Sequence, residues 1–294
     1  MKFSILVVNY NTEQHIHQLL SELSKQTLSK DKWQVIIVNN NQNDVLGDTL
    51  VCFDQSIHLK IITSPQNIGF GRAMNLAAQH ANGEHLLITN PDIVIKNDKF
   101  LSEFLHHLQK TPNYGVATCQ LLNDKGEDKS EFYDFEFCER LGVAERIAWF
   151  SGAFLAICKE TYQRIKGFDP DFFMYCEDED LCLRVGRLGL SLLKINELSL
   201  YHQGGASEPL KGYDFFYRWF RSQLLFAYKH FDKTKFDGLL QQLQNKSAKK
   251  LKIYQSIAFL PIARYKTKQN QWQAMSDVVQ KTQKQGADWL YFRP

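Results

Sequence analysis

The sequence has no long hydrophobic run. Its longest nearly uninterrupted apolar stretch, Ile253 to Ala263, falls well short of the ~20 residues a spanning helix requires. The N-terminus shows no export signal either. In MKFSILVVNYN a single Lys precedes a short apolar run that ends in polar turn residues, with no small-residue cleavage site after it. A cytoplasmic chain is therefore expected. The six cysteines (Cys52, Cys119, Cys138, Cys158, Cys176, Cys182) contain no C-x-x-C pair and do not cluster with His at zinc-ligand spacing, so buried free thiols are expected. A G-x-G-x-x-G loop is also missing, and no acidic residue follows a strand at ribose-reading distance, which disfavours a dinucleotide oxidoreductase. No nucleic-acid partner is expected.

What is present is ordinary globular material. Of 294 residues, 44% are hydrophobic and 23% charged, which excludes a disordered or membrane-embedded chain and allows one large α/β domain with an appendage. The net charge of +3 conceals an asymmetry. From Lys211 onward there are 16 Lys and Arg against 5 Asp and Glu, while the preceding residues carry 19 against 27. A basic tail on an acidic body suits a polyanionic neighbour, either a membrane surface or a phosphorylated acceptor, and equally a solvated basic helix face.

Phe3 to Val8 is a branched apolar run closed by Asn-Tyr-Asn, the pattern of a buried parallel strand ending in a turn. Thr12 can cap a following helix, in which Ile16, Leu19, Leu20 and Leu23 recur at helical spacing before a second buried strand, Trp33 to Val38. The unit repeats as a strand at Leu59 to Thr63, a helix from about Gly71 to Ala81 and a strand at His85 to Thr89. Strands alternating with helices predict a mainly parallel α/β sheet flanked by helices. Its ligands bind beyond the carboxyl ends of the strands, where Asn9 to Asn11, Asn39 to Asp44 and Asn90 to Asp92 fall. Leu121 to Ile147 loses periodicity, and loops with a short hairpin reaching an acceptor side are expected there. Further elements are expected at Ser151 to Cys158 (strand), Glu179 to Leu188 (helix) and Ser191 to Ile195 (strand). The division is thus 1–210 as the α/β domain and 211–294 as a basic, aromatic-rich helical extension.

Four segments carry chemistry. In NPDI, Asp92 stands directly after a buried strand, where a carboxylate suits a hard divalent cation bridging to phosphate, although Asx-Pro-Asp is also common turn chemistry. In GFDPDFFMYCEDEDLCLR, Glu177 to Asp180 are four adjacent carboxylates. Their repulsion should raise at least one pKa and favour a general base at Asp178, whereas Asp180 reads as the i,i+4 partner of Arg184. In YHQGGAS, His202 leads into a Gly-Gly turn. In NIGFGRAMN, a glycine-containing turn opens a helix with Arg72 in its first turn, an arrangement that suits a diphosphate.

Taken in order, VVNYN, VNNNQND, NIGFGRAMN, NPDI, FSGAFLAI, the acidic segment and YHQGGAS resemble the family 2 inverting glycosyltransferases of the GT-A fold, particularly their bacterial rhamnosyltransferase-like branch, over about residues 3 to 228. The resemblance implies that Asn9, Tyr10 and Asn11 border the nucleoside, and that Asn67, Gly69 and Arg72 sit near the ribose and diphosphate. It makes Asp92 the second acidic residue of a D-x-D motif that binds Mg²⁺ or Mn²⁺, with Asn90 in the first place and His202 as a second metal ligand. Asp178 then matches the catalytic base, Glu177 a residue that contacts the acceptor or positions that base, and Gly152 and Ala153 positions near the donor sugar.

The family usually has V-D-N-x-S-x-D after the second strand. Here Asn39 and Gln42 replace the Asp and Ser, while Asp44 remains. An Asp would accept a hydrogen bond from a pyrimidine N3–H, and the Asn39 amide oxygen could do so less strongly. The implied reaction moves a sugar from a dTDP-rhamnose- or UDP-hexose-type donor to a hydroxyl of a surface-glycan or lipid-linked acceptor, with peripheral inner-membrane contact through the basic tail. The alternatives are a non-catalytic nucleotide-sugar-binding subunit, motivated by Asn39 and Gln42, and a sugar nucleotidyltransferase. For the latter, SILVVNYNTEQ lacks the Gly and Lys of a triphosphate-gripping loop.

Overall fold

The computed structural model describes residues 1–41, 46, 50, 53, 57–132, 148–204, 211–256 and 263–293. Gln42 and Asp44 lie outside the described residues. Among the described residues there are ten strands: β1 (Phe3–Asn9), β2 (Trp33–Asn39), β3 (Leu59–Thr63), β4 (His85–Thr89), β5 (Ile93–Val94), β6 (Tyr114–Leu122), β7 (Glu131–Phe132), β8 (Trp149–Phe150), β9 (Phe154–Cys158) and β10 (Ser191–His202). The described helices are α1 (Glu13–Ser24), α2 (Phe70–Gln79), α3 (Phe100–Lys110), α4 (Lys159–Arg164), α5 (Glu177–Gly186), α6 (Tyr213–His230), α7 (Lys233–Ser256) and α8 (Ala263–Gln285).

Eight strands form one sheet in the order β3-β2-β1-β4-β9-β6-β10-β5. The β1–β2, β2–β3, β1–β4 and β6–β10 pairs are parallel, as the alternating pattern predicts, while β9 runs antiparallel to both β4 and β6, and β5 antiparallel to β10. All seven residues of β1 are buried, because helices cover both sheet faces. Successive side chains therefore enter different cores. Phe3, Ile5 and Val7 join Ile16, Leu19 and Leu23 of α1 and Phe100 and Phe104 of α3. Leu6 and Val8 join Ala73, Met74 and Ala77 of α2 and Leu181 and Val185 of α5.

Several boundaries differ from the sequence reading. The strand expected at Ser191 to Ile195 continues to His202, with a register shift between Ile195 and Ser199. Exposed Asn196 and Glu197 interrupt the apolar alternation there, so the bulge reads as a strand end. The Ser151 to Cys158 strand is shorter, starting at Phe154 after a turn. β7, inside the aperiodic segment, pairs antiparallel with β8, just after it, in a separate two-stranded sheet. α5 begins at Glu177, two residues earlier than expected, so all four carboxylates lie in its first turn.

By internal contacts the described chain divides into two compact units, one of residues 1–132, 148–169 and 177–204 and one of 170–176 and 211–293. The sequence division after residue 210 places 170–176 with the first unit, whereas in the structure this segment groups with the C-terminal helices. Within the second unit Lys229 pairs with Asp171 at 2.5 Å, and the Arg221 guanidinium donates to the carbonyls of Trp289, Leu290 and Tyr291. A cavity of about 760 Å³ in this unit, lined by residues including Tyr228, Phe236, Leu240 and Gly286, holds none of the candidate site residues. No described helix is long and apolar enough to cross a membrane.

Candidate active site

The carboxyl ends of β1 and β2 are joined by a buried amide network. Asn9 and Asn39 face each other in the parallel register, and both are fully buried. Asn9 Oδ1 accepts from the Thr12 backbone N–H (3.1 Å) and the Thr12 hydroxyl (2.9 Å). Thr12 thus precedes α1 as expected, but its hydroxyl turns to Asn9 and makes no capping bond. Asn9 Nδ2 donates to Glu13 Oε1 (3.1 Å) and to Asn39 Oδ1 (3.0 Å), and Asn39 Oδ1 also accepts from the Asn41 backbone N–H (3.2 Å). The Asn39 oxygen expected to face a nucleobase is therefore already engaged twice. Tyr10 is exposed, and Asn11 adopts φ 57°, a left-handed conformation that Asn tolerates.

The network continues to the start of α2. Asn40 Nδ2 donates to Asn67 Oδ1 and to the Gly69 carbonyl, both at 3.3 Å, and Asn67 Oδ1 accepts from the Gly69 N–H at 3.0 Å. Gly69 holds φ 83°, where a side chain would be strained, and Arg72 lies half-buried in the first turn of α2. Gly71 permits a second close approach: a Cβ there would lie 3.0 Å from Phe168 Cβ and 3.8 Å from Glu177 Cβ. The structure thus brings Asn9, Asn39, Asn67 and Gly69 into one hydrogen-bonded cluster with Gly71 and Glu177 alongside. Sequence reasoning missed Glu13 as a member and gave Asn40 no role beyond its place in the strand-end cluster of 39–44.

The acidic helix is tied to the end of β4 by main-chain bonds. Asn90 N–H donates to the Ala153 carbonyl (2.9 Å), and the neighbouring Gly152 N–H donates to Asp178 Oδ2 (2.8 Å). Asp178 Oδ1 accepts from the Glu179 N–H (3.0 Å). Gly152 and Ala153 thus form a short bridge with Asn90 and Asp92 at one end and Asp178 at the other. Tyr175 (φ 72°) and Cys176 (φ 65°), two successive left-handed non-glycine residues, turn the chain into α5. Each costs about 1–2 kcal/mol, a strain of the kind concentrated at functional sites.

Burial, then the adjacent Asp178 charge, pushes the Glu177 carboxyl up to about 8. Burial also raises the Asp178 carboxyl, partly offset by the N–H groups of Gly152 and Glu179. The expected rise therefore occurs, but desolvation outranks the carboxylate repulsion that motivated it. Asp180, fully buried, pairs with Arg184 at 2.7 Å, as the i,i+4 spacing predicts.

Asp92 and His202 meet because β5 pairs antiparallel with the end of β10, setting Ile93 opposite His202. His202 Nε2 lies 3.4 Å from Asp92 Oδ1 and, although buried, makes no hydrogen bond. Burial pushes the Asp92 carboxyl up, but the neighbouring His202 imidazole and backbone N–H groups outweigh it and hold the carboxyl below its usual range. Among the described residues no three His, Cys, Asp or Glu side chains converge on a metal-sized site. A buried imidazole nitrogen without a hydrogen bond, 3.4 Å from a buried carboxylate, is a donor set that fits a divalent cation.

A sequence profile of the family described as Glycosyl transferase family 2 matches residues 4–176, more than half of the chain and most of the residues above. The chain belongs to glycosyl transferase family 2. Among characterised proteins it is 26% identical over 215 residues to the rhamnosyltransferase WbbL of Escherichia coli K12, covering 64% of this chain and 78% of WbbL. Among solved structures, the mannosyltransferase PcManGT of Pyrobaculum calidifontis, determined with GDP-Man and Mn²⁺, superposes with a TM-score of 0.60 at 16% identity, covering 96% of this chain and 87% of that one. Residues 1–349 of S. aureus TarS, determined with UDP, superpose with a TM-score of 0.58 at 15% identity, covering 97% and 92%. These neighbours confirm the GT-A fold, and this glycosyltransferase is a sugar-transferring enzyme. The family match covers Asn9, Asn39, Asn67, Asp92 and Gly152 and stops one residue before Glu177.

Proposed function

We propose that this glycosyltransferase moves a sugar from a nucleoside diphosphate to a glycan hydroxyl by single displacement, with Asp178 as the base. The observation that carries the reading is the Gly152–Ala153 bridge, which ties the Asp178 carboxylate to the Asn90–Asp92 turn through two hydrogen bonds, one from the Gly152 N–H to the carboxylate and one from the Asn90 N–H to the Ala153 carbonyl. Asp178 accepts the proton of the acceptor hydroxyl while that oxygen bonds to the anomeric carbon, the bond from that carbon to the diphosphate breaks, and configuration inverts. A raised carboxyl makes a stronger base than an exposed aspartate, and two N–H donors hold it in one orientation. Glu177, protonated below about pH 8, positions the acceptor by donating rather than competing for the proton. Asp92 and His202 hold Mg²⁺ or Mn²⁺, which when bound supplies positive charge against the leaving diphosphate.

The amide cluster of Asn9, Asn39 and Asn67, with Tyr10, Asn11, Gly69 and Arg72, takes the nucleotide, while Asn90, Gly152 and Ala153 border the sugar. A donor-hydrolysis screen over UDP-, dTDP- and GDP-sugars with and without Mn²⁺ tests the reading. Release of nucleoside diphosphate that disappears in Asp178→Asn, with nucleotide binding retained, is the expected result. Turnover near wild type in Asp178→Asn under saturating substrates would remove the base. We further propose that the basic C-terminal helices, with Lys249 and Lys252 exposed on α7, rest on anionic lipid near a lipid-linked acceptor. Unchanged liposome binding after deletion beyond residue 235 would remove that proposal.

A further inference from the structure

We propose that Asn39 reads the nucleobase of the donor by giving a hydrogen bond, so that the base presents an acceptor to this residue and its ring N–H is not the feature recognised. The inference deepens the nucleotide-sugar reading above and rests on it.

The orientation of the Asn39 amide is set by main-chain atoms that can only donate. The Thr12 backbone N–H points at one atom of the Asn9 amide, which must therefore be Oδ1. The other Asn9 atom is then Nδ2, and it lies 3.0 Å from Asn39, so the facing Asn39 atom must be an acceptor. The Asn41 backbone N–H independently points at that same Asn39 atom from 3.2 Å. Both routes make it Oδ1, and Asn39 Nδ2 is left over. That nitrogen is buried within a residue of 0% exposure and has no partner.

Asn40 is arranged in the complementary way. Its Nδ2 is committed to the Gly69 carbonyl, an atom that can only accept, and its Oδ1 is buried without a partner in a residue of 2% exposure. The end of β2 therefore leaves one N–H donor and one carbonyl acceptor unsatisfied on adjacent buried residues, at the strand ends where ligands of parallel sheets bind. Unpartnered buried polar groups are rare in native proteins, and a ligand that satisfies them is the ordinary explanation. An aspartate at position 39 would keep both bonds to its first oxygen but present an acceptor from its second. Asn39 presents a donor.

Binding of UDP, dTDP, CDP, GDP and inorganic pyrophosphate to the full chain and to Asn39→Asp, followed by calorimetry, tests this. The substitution swaps the free N–H for a carboxylate oxygen of nearly the same shape. The diphosphate that the wild type binds best should lose about tenfold or more in affinity in Asn39→Asp, because two acceptors then face each other, while pyrophosphate binding stays within about twofold. Equal or tighter nucleotide binding by Asn39→Asp overturns the proposal, since a site that accepts a ring N–H gains from the charge. Should the variant also lose pyrophosphate or fail to melt cooperatively, the wild type decides the matter. N3-methyl-UDP binding within about threefold of UDP supports a donating Asn39, and a loss of about tenfold or more overturns it. A wild type that binds pyrophosphate but none of the nucleotides refutes the nucleotide-sugar reading itself.

Discussion

Gly152→Ala is the sharpest test of the bridge between the strand end and the base. An added Cβ would lie 3.2 Å from both Cβ and Oδ2 of Asp178, so the carboxylate must retreat by a few tenths of an ångström. The same retreat lengthens the 2.8 Å bond from the Gly152 N–H, a charged-acceptor bond worth about 1.5–3 kcal/mol. Losing half to all of it corresponds to roughly fourfold to 150-fold in rate, a range that includes the cost of misplacing a reacting group by 1 Å. The expectation is a fall in kcat of that size with a smaller change in donor KM. The sign of the pH effect follows as well. The Gly152 N–H favours the ionised form, so weakening it raises the Asp178 carboxyl further and moves the acid limb of the kcat/KM profile to higher pH. Nucleoside diphosphate release assayed across pH measures both. A Gly152→Ala enzyme with wild-type kcat and an unmoved acid limb, alongside an inactive Asp178→Asn, would refute the positioning argument.

The other predictions concern stability. Glu177 has a folded-state carboxyl raised to about 8, so the folded protein binds a proton that the unfolded chain releases near pH 4.5, and stability declines as pH rises through that window. Glu177→Gln should flatten the decline, which is at most about 1.4 kcal/mol per pH unit, in urea unfolding between pH 6 and 8. Arg184→Met removes the ion-pair partner of the buried Asp180 carboxylate, and a loss of about 3 kcal/mol in denaturant unfolding is expected; a loss under about 1 kcal/mol would mean that the other groups around the carboxylate support it adequately. Lys166 is exposed and holds φ 62° beside Gly167, so Lys166→Gly should stabilise by about 0.5–1 kcal/mol, visible as a rise in Tm.

Much of the N-terminal half of the sheet was legible in the sequence. Phe3 to Val8 and Trp33 to Val38 are buried almost throughout, so their apolar runs are broken only by Ser4 and Gln34 and their polar terminators mark the strand ends directly. The i,i+4 spacing of Asp180 and Arg184 is a local property, and the pair formed as predicted. What failed was non-local. β9 runs antiparallel between β4 and β6, and a short apolar run has the same composition in either direction. α3 and β6 went unassigned, and the bulge in β10 hid the seven residues that carry the strand on to His202.

The chain's own order of residues determined which side chains stand at the strand ends, because periodicity and turn chemistry act over a few residues. Only the tertiary structure decided their hydrogen-bonding sense. Asn39 reads in the sequence as an amide able to accept or donate, and the Thr12 and Asn41 backbone N–H groups, brought to it through Asn9 and the turn after β2, leave it only a donor. The pKa of Glu177 was settled the same way. Four adjacent carboxylates announce repulsion, but burial, which depends on how α5 packs against α2 and the sheet, supplies the larger part of the shift.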